Sequence, residues 1–253
     1  MRSIHPGDFD AMAEAEVRLL LLSNSTTFGG TYLGHARGPI VSLFAGLKRI
    51  AFVPFALADQ QGYFGRARAH FETLGIQTDR VVEGTAGRTL VESTEGIFVG
   101  GGNTFRLLDR LQRSSLIEPI RARVLEGMPY LGSSAGTGIA APTIMTTNDM
   151  PIVKPLTFES LGLVPFQLNC HYLDADKDSR HMGETRETRI REFHEENDRP
   201  VVGLREGSWL EVEGTGGGQV ARLGGSHPAR LFVRGAEPRE LPPGTDVNAQ
   251  GGR

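Results

Sequence analysis

LGSSAGTGIA, residues 131 to 140, is the stretch whose reading decides the fold. The short apolar run Met128-Pro129-Tyr130-Leu131 precedes it and small residues follow until Pro142, so the order reads strand, abrupt turn, helix. In a G-x-S-x-G turn the central residue sits on a strained strand-to-helix bend. The residues two before and two after it must be small, because the backbones nearly touch there. Centring on Ser134 gives Gly132 and Gly136, whereas centring on Ser133 gives Leu131 and Ala135. Ser134 is therefore the candidate nucleophile, and the N–H of Ala135 points to where an oxyanion would form at a helix start. A small-residue turn chosen only for packing is the plain alternative.

Outward from this turn, short apolar runs alternate with helical patterns. Val17 to Leu22, Ile50 to Val53, Thr78 to Val82, Ile97 to Val99 and Met128 to Leu131 each read as a buried strand. Between them, Tyr63 to Leu74, Asn103 to Leu111 and Pro119 to Leu125 carry helical spacing with glycine or proline punctuation. Alternation of this kind gives one parallel sheet covered on both faces, with ligands at the carboxyl ends of the strands. After residue 150 a helix, Glu184 to Glu195, precedes Val201 to Leu204, Trp209 to Val212, Val220 to Leu223 and Leu231 to Val233, strands expected to extend or flank that sheet. No repeat or long linker divides the chain, so residues 1 to 253 read as a single domain. Residues 1 to 15 and 237 to 253 lack periodicity and read as flexible tails.

A chain of 253 residues can bury a full core without a metal or disulfide staple. Thirty acidic against 27 basic residues give a net charge of -3 with no basic block, which argues against nucleic acid as a partner. The one cysteine, Cys170, fits a reducing compartment. The apolar run Leu19 to Leu22 is far below the roughly 18 residues of a membrane helix. Acids at Asp8, Asp10, Glu14 and Glu16 stand where a signal peptide would be basic. A cytoplasmic protein with no membrane association is expected.

VGGGNTF, residues 99 to 105, is the second signal: a strand ends, a helix opens, and three glycines expose N–H groups toward the strand ends where Ser134 lies. It can complete an oxyanion hole or hold a phosphate, although a dinucleotide loop from Gly100 would need a glycine where Phe105 stands. A serine hydroxyl needs a base. Of the seven histidines, His171 closes the apolar run from Leu163 to Cys170 and so sits at a strand's end. Cys170 beside it would point to the opposite face of an extended strand and reads as a packed small hydrophobe.

The segment LDADKDSRH, residues 173 to 181, begins like a calcium loop at Asp174, Asp176 and Asp178, but Ser179 replaces its glycine and Thr185 its bidentate acid. His171 and His181 lack zinc spacing as well, so neither a metal nor another cofactor is expected. A third triad member must be a carboxylate that orients the imidazole. Asp149, Asp174 and Glu206 all remain possible from the residues alone.

Together, VGGGNTF, LGSSAGTG, TNDMPIVKPLTFESLGLVPFQLNCHY, GETRETRIREF and VVGLREGSW, in order from about residue 17 to about 235, resemble the peptidase E family of serine-dependent α-aspartyl dipeptidases. The resemblance implies a three-layer α/β/α fold, flavodoxin-like with a mostly parallel sheet and related to class I glutamine amidotransferases. It implies cleavage of Asp-X dipeptides by a monomer or homodimer. By motif position it gives Ser134 as nucleophile, His171 as base, Glu206 as orienting acid, and Gly102 and Ala135 as oxyanion N–H donors. Asp149 is implied as a further catalytic partner, and Arg186 in GETRE is a candidate for binding the aspartate carboxylate. Arg186 reads equally as part of a helix-surface ion-pair row with Arg189 and Glu192. Two departures stand out: the stretch 1 to 15 extends beyond the family's usual start, and Ser133 stands where a bulky aromatic often precedes the nucleophile. Two other functions stay in view, an aspartyl isopeptidase acting on cyanophycin-like polymers and a catalytically silent module binding a small acidic ligand.

Overall fold

The computed structural model describes residues 15–176, 178, 180, 183–215 and 218–251. The elements run β1 (Val17–Leu22), a 3₁₀ turn and α1 (Arg37–Leu43), β2 (Arg49–Val53), α2 (Gln60–Glu72), β3 (Gln77–Arg80), α3 (Thr85–Ser93), β4 (Ile97–Val99), α4 (Thr104–Arg113) and α5 (Ile117–Leu125). They continue β5 (Tyr130–Ser133), α6 (Ala135–Gly138), β6 (Gln167–Cys170), α7 (Arg186–Glu196), β7 (Val201–Leu204), β8 (Ser208–Gly214), β9 (Val220–Gly225), β10 (Ala229–Phe232), β11 (Arg239–Leu241) and α8 (Asn248–Gly251). Helices α1 and α3, which the sequence reading does not include, complete the alternation of strands with helices.

A seven-stranded sheet has the order β3-β2-β4-β5-β1-β8-β9. From β3 to β1 all neighbours are parallel, and β8 and β9 add an antiparallel edge. The strands are buried on both faces because their side chains alternate between two cores. Leu20, Leu22, Phe52, Phe98 and Leu131 pack under α1 and α2 with Ile40, Tyr63 and Phe71. Leu19, Leu21, Val53, Val99 and Tyr130 face the other way, against α3, α4 and α5. The chain is thus a three-layer α/β fold with a mostly parallel central sheet.

The late strands do more than extend that sheet. β6, β7, β10 and β11 form a second, four-stranded sheet of order β11-β10-β7-β6. Its inner residues Leu168, Val202 and Leu231 join the core on the α3 to α5 side, while α7 covers its outer face through Ile190. Reading the chain from Glu237 as a flexible tail is therefore corrected: β11 pairs with β10, and Leu241 and Val247 are buried. Two isolated apolar residues in a Pro/Gly-rich stretch carry no periodicity, which hid the strand. Of the stretch expected to fray at the start, residues 1–14 lie outside the described residues, as do Lys177, Ser179 and His181 of the acidic loop.

Two features of the fold position the strand ends. Register sets Leu22 opposite Ser133 and Val99 opposite Gly132, so β1, β4 and β5 finish level with one another. At β7, Arg205 holds Asp174 through two hydrogen bonds of 2.9 Å and Glu240 through bonds of 2.8 and 3.0 Å, and its guanidinium lies over the Tyr172 ring. The end of β7 is thereby tied to the segment after β6 and to β11.

Gly136→Ala would place a methyl group on the Val99 carbonyl, whereas a Cβ at Gly138 meets its nearest neighbour, Thr104, only at 4.0 Å. We expect Gly136→Ala to lose about 1–3 kcal/mol or more in denaturant unfolding, and Gly138→Ala to stay within about 0.5 kcal/mol of the parent. The Arg205 hydrogen bonds hold the Asp174 and Glu240 carboxyls below their ordinary values of 3.8 and 4.5. A carboxyl depressed in the folded state stabilises above its unfolded pKa and loses that contribution as pH falls through the folded one. Arg205→Met should accordingly melt lower than the parent at pH 7, with the gap narrowing as pH drops below about 4.

Candidate active site

β5 delivers the chain into its bend at Ser134, whose φ of 52° and ψ of -109° lie in a region that non-glycine residues avoid. Such a residue costs about 1–3 kcal/mol and persists only when its surroundings hold it. Here the Ser134 N–H donates to the Leu22 carbonyl at 3.0 Å, and the Thr137 hydroxyl donates to the same oxygen at 2.7 Å. Tyr130 Oη donates to the Gly136 carbonyl at 2.5 Å. A side chain at Gly132 would lie 2.7 Å from the Gly136 carbonyl oxygen, and one at Gly136 would overlap Val99. The two serines separate cleanly: Ser133 Oγ is buried without a hydrogen-bond partner among the described residues, whereas Ser134 Oγ meets His171 Nε2 at 2.8 Å.

His171 follows the last residue of β6 and also has a positive φ, 53°. Its N–H donates to Ser23 Oγ at 3.0 Å, and Ser23 donates in turn to the Leu204 carbonyl at 2.8 Å. One buried hydroxyl thus joins the ends of β1, β6 and β7. The imidazole Nδ1 lies 2.8 Å from Glu206 Oε1 in the turn between β7 and β8. That turn is fixed by the Gly207 N–H donating to Asn24 Oδ1 at 2.9 Å. A carboxylate that accepts from Nδ1–H leaves the lone pair of Nε2 facing the serine hydroxyl, so this arrangement can draw a proton from serine to imidazole.

The other acids have different partners. Asp174 is held by Arg205. Asp149 Oδ2 accepts from both the N–H and the hydroxyl of Thr104, at 2.7 and 2.6 Å, at the start of α4. Asp149 still borders the same small cavity, about 30 Å³, as Ser134, Ala135, Asn148, Cys170 and His171. Cys170 departs from the extended-strand expectation: the positive φ of His171 breaks the alternation, and both residues border the one cavity. The thiol donates to the Ser134 carbonyl at 3.5 Å, and burial pushes its pKa up, away from the reactive thiolate.

In the glycine loop, the Gly100 N–H donates to the Val53 carbonyl at 3.1 Å, that of Gly101 to Tyr63 Oη at 2.7 Å, and that of Asn103 to the Ala56 carbonyl at 3.1 Å. The Gly102 N–H, at a residue with φ of 135°, has no acceptor among the described residues. Neither has that of Ala135, the first residue of α6. Arg186, half-buried at the start of α7, makes no hydrogen bond or ion pair among the described residues, and the carboxylate of Asp149 is near enough to act on its charge. The helix-surface row expected for it does not form, since Arg189 pairs with Glu184 instead. A larger cleft of about 860 Å³ between α5, residues 162–166 and β10 contains none of these groups.

Ser23, Asn24, Tyr63, Thr104 and Arg205 support the site and went unread in the sequence. Ser23 and Asn24 directly follow the first apolar strand, at the carboxyl end where a parallel sheet gathers its ligands, and that position was the available signal.

No helix among the described residues is long and apolar enough to cross a membrane. The profile of peptidase family S51 matches residues 19–220. A Streptomyces coelicolor protein named "Peptidase E" is 53% identical over 92% of this chain and 94% of its own. A Drosophila melanogaster protein named "Probable alpha-aspartyl dipeptidase" is 44% identical over 93% of this chain and 98% of its own. The crystal structure of a peptidase from an acI-B1 actinobacterium superimposes with a TM-score of 0.69 at 17% identity, covering 92% of this chain and 96% of the other, which is a likeness of fold. With a profile spanning most of its length and relatives above 40% identity across nearly all of it, this chain belongs to peptidase family S51 and is a serine peptidase.

Proposed function

We propose that the chain hydrolyses dipeptides whose first residue is aspartate, through an acyl-enzyme on Ser134. The observation that carries this reading is the unbroken series Ser134 Oγ, His171 and Glu206 Oε1, with 2.8 Å at each junction, together with two N–H groups that lack an acceptor among the described residues. The substrate class comes from the name of the Drosophila relative.

In this mechanism His171 takes the Ser134 proton as the hydroxyl attacks the carbonyl of the aspartyl residue. Glu206 keeps the imidazole in the required tautomer and stabilises its cation. The oxyanion rests on the N–H groups of Gly102 and Ala135, which are in place before charge develops and need no rearrangement. The imidazolium then protonates the leaving amine, and water, activated by the same histidine, releases aspartate. Asp149 lies beside the triad rather than within it, since Oδ2 is held by Thr104. We assign its other oxygen to the substrate's ammonium group. Arg186, a cation without a partner among the described residues, takes the side-chain carboxylate. A dipeptide with a free amine and a β-carboxylate would satisfy both. The single cysteine, half-buried and in the thiol form, fits the reaction taking place in the cytoplasm.

The test compares Asp-Leu, β-Asp-Leu, Glu-Leu, N-acetyl-Asp-Leu and an aspartyl polymer. Asp-Leu should be cleaved best, and preference for the β-linked or polymeric substrate would replace this reading with the isopeptidase one. Ser134→Ala should lower kcat by about 10⁴-fold or more, and Glu206→Gln by up to about 10⁴-fold. Unchanged turnover in Ser134→Ala would rule the mechanism out. Arg186→Gln should raise KM for Asp-Leu by about 10- to 100-fold, the loss expected for a hydrogen bond to a charged group, and should narrow the difference from neutral first residues.

A further inference from the structure

We propose that Tyr63, on α2, is a positioning residue for the oxyanion: by holding the Gly101 N–H, its hydroxyl sets the glycine loop so that the Gly102 N–H is left facing the reacting carbonyl. The inference rests on the reading of Ser134 and Gly102 given above and extends it to a helix on the other face of the sheet.

Three observations lead to it. The Tyr63 ring lies flat against the loop, since a Cβ at Gly100 would sit 2.5 Å from Oη and 2.7 Å from Cε1. The ring is 4% exposed and is wedged edge-on against Phe52, with centroids 5.0 Å apart. The hydroxyl therefore has little freedom, and burial raises its pKa, keeping it a neutral phenol. Gly101 in turn presses on the nucleophile: a Cβ there would lie 2.9 Å from the Ser133 carbonyl oxygen and 3.0 Å from Ser134 Cβ. Finally, the loop's neighbouring donors are fixed by Val53 and Ala56 backbone oxygens, which belong to the sheet and the segment after it. Among the described N–H groups from Gly100 to Asn103, the one that a side chain holds is that of Gly101.

Without that hydroxyl, a buried N–H loses its acceptor, a state folded proteins seldom tolerate. Three successive glycines have the backbone freedom to rotate it toward another acceptor, and Gly102 would turn with it. The pair Gly101–Tyr63 thus does for the loop what Leu22 does for Ser134. Nothing in the role requires Tyr63 to touch substrate.

The experiment uses the full chain carrying Tyr63→Phe, beside Ser134→Ala. For Asp-Leu, kcat should fall about 10- to 100-fold, less than the loss of a whole oxyanion donor, with KM within about twofold of the parent. Affinity for an aspartyl boronic acid, whose tetrahedral adduct uses the same N–H groups, should fall by the same factor. Binding of the uncleavable reduced-amide analogue of Asp-Leu to Ser134→Ala and to the Ser134→Ala/Tyr63→Phe pair should be equal. A kcat within twofold of the parent, or a matching loss of boronate and reduced-amide affinity, overturns the proposal. Should Tyr63→Phe fail to fold, 2,3-difluorotyrosine at position 63 retains the ring and weakens the oxygen as an acceptor. A severalfold drop in kcat at constant KM then supports the proposal, and an unchanged kcat refutes it. If Ser134→Ala stays active, the underlying mechanism fails and takes this inference with it. If Ser134→Ala is inactive while Tyr63→Phe matches the parent, the inference alone fails.

Discussion

The contact between the Gly136 backbone and the Val99 carbonyl is the constraint on which the site depends. No side chain fits there, so the start of α6 lies directly on the end of β4, and the bend between β5 and α6 has to be abrupt. Ser134 is driven to a positive φ, its hydroxyl meeting His171 and its N–H on Leu22. Because β1, β4 and β5 end in register, the glycine loop after β4 and the Ser23-Asn24 pair after β1 arrive at the same level. Packing at one glycine thus determines where three segments meet.

The second half of the site comes from a different sheet. His171 and Glu206 leave the parallel neighbours β6 and β7, and the Ser23 hydroxyl bonds to both strand ends at once. Arg205 locks the same corner from outside through Asp174 and Glu240. Both residues of the Ser134–His171 pair have a positive φ, so these two side chains are held by strained backbone that the neighbouring hydrogen bonds keep in place.

Local pattern carried much of this. Apolar runs revealed the five parallel strands, and the spacing of glycines about residue 134 distinguished Ser134 from Ser133 before any coordinates. His171 stood out because the apolar run ends at it, and the structure brings it to Ser134 and Glu206. The acids could not be separated: Asp149, Asp174 and Glu206 differ in contacts that span 31 to 45 residues, Arg205 to Asp174 and Thr104 to Asp149 among them, and such contacts leave no local trace. The second sheet was hidden for a related reason. Strands such as Arg239–Leu241 are too short for a period to show and are defined by their partners. Strand alternation sends Cys170 to the opposite face from His171, a rule that stops where φ becomes positive.

The most direct test of the central claim is mass spectrometry of the chain quenched in acid during turnover of an aspartyl ester, with the modified peptide sequenced. The account predicts an aspartyl group on Ser134. Rapid turnover that leaves Ser134 unmodified, or an adduct on Cys170 in its place, would contradict it.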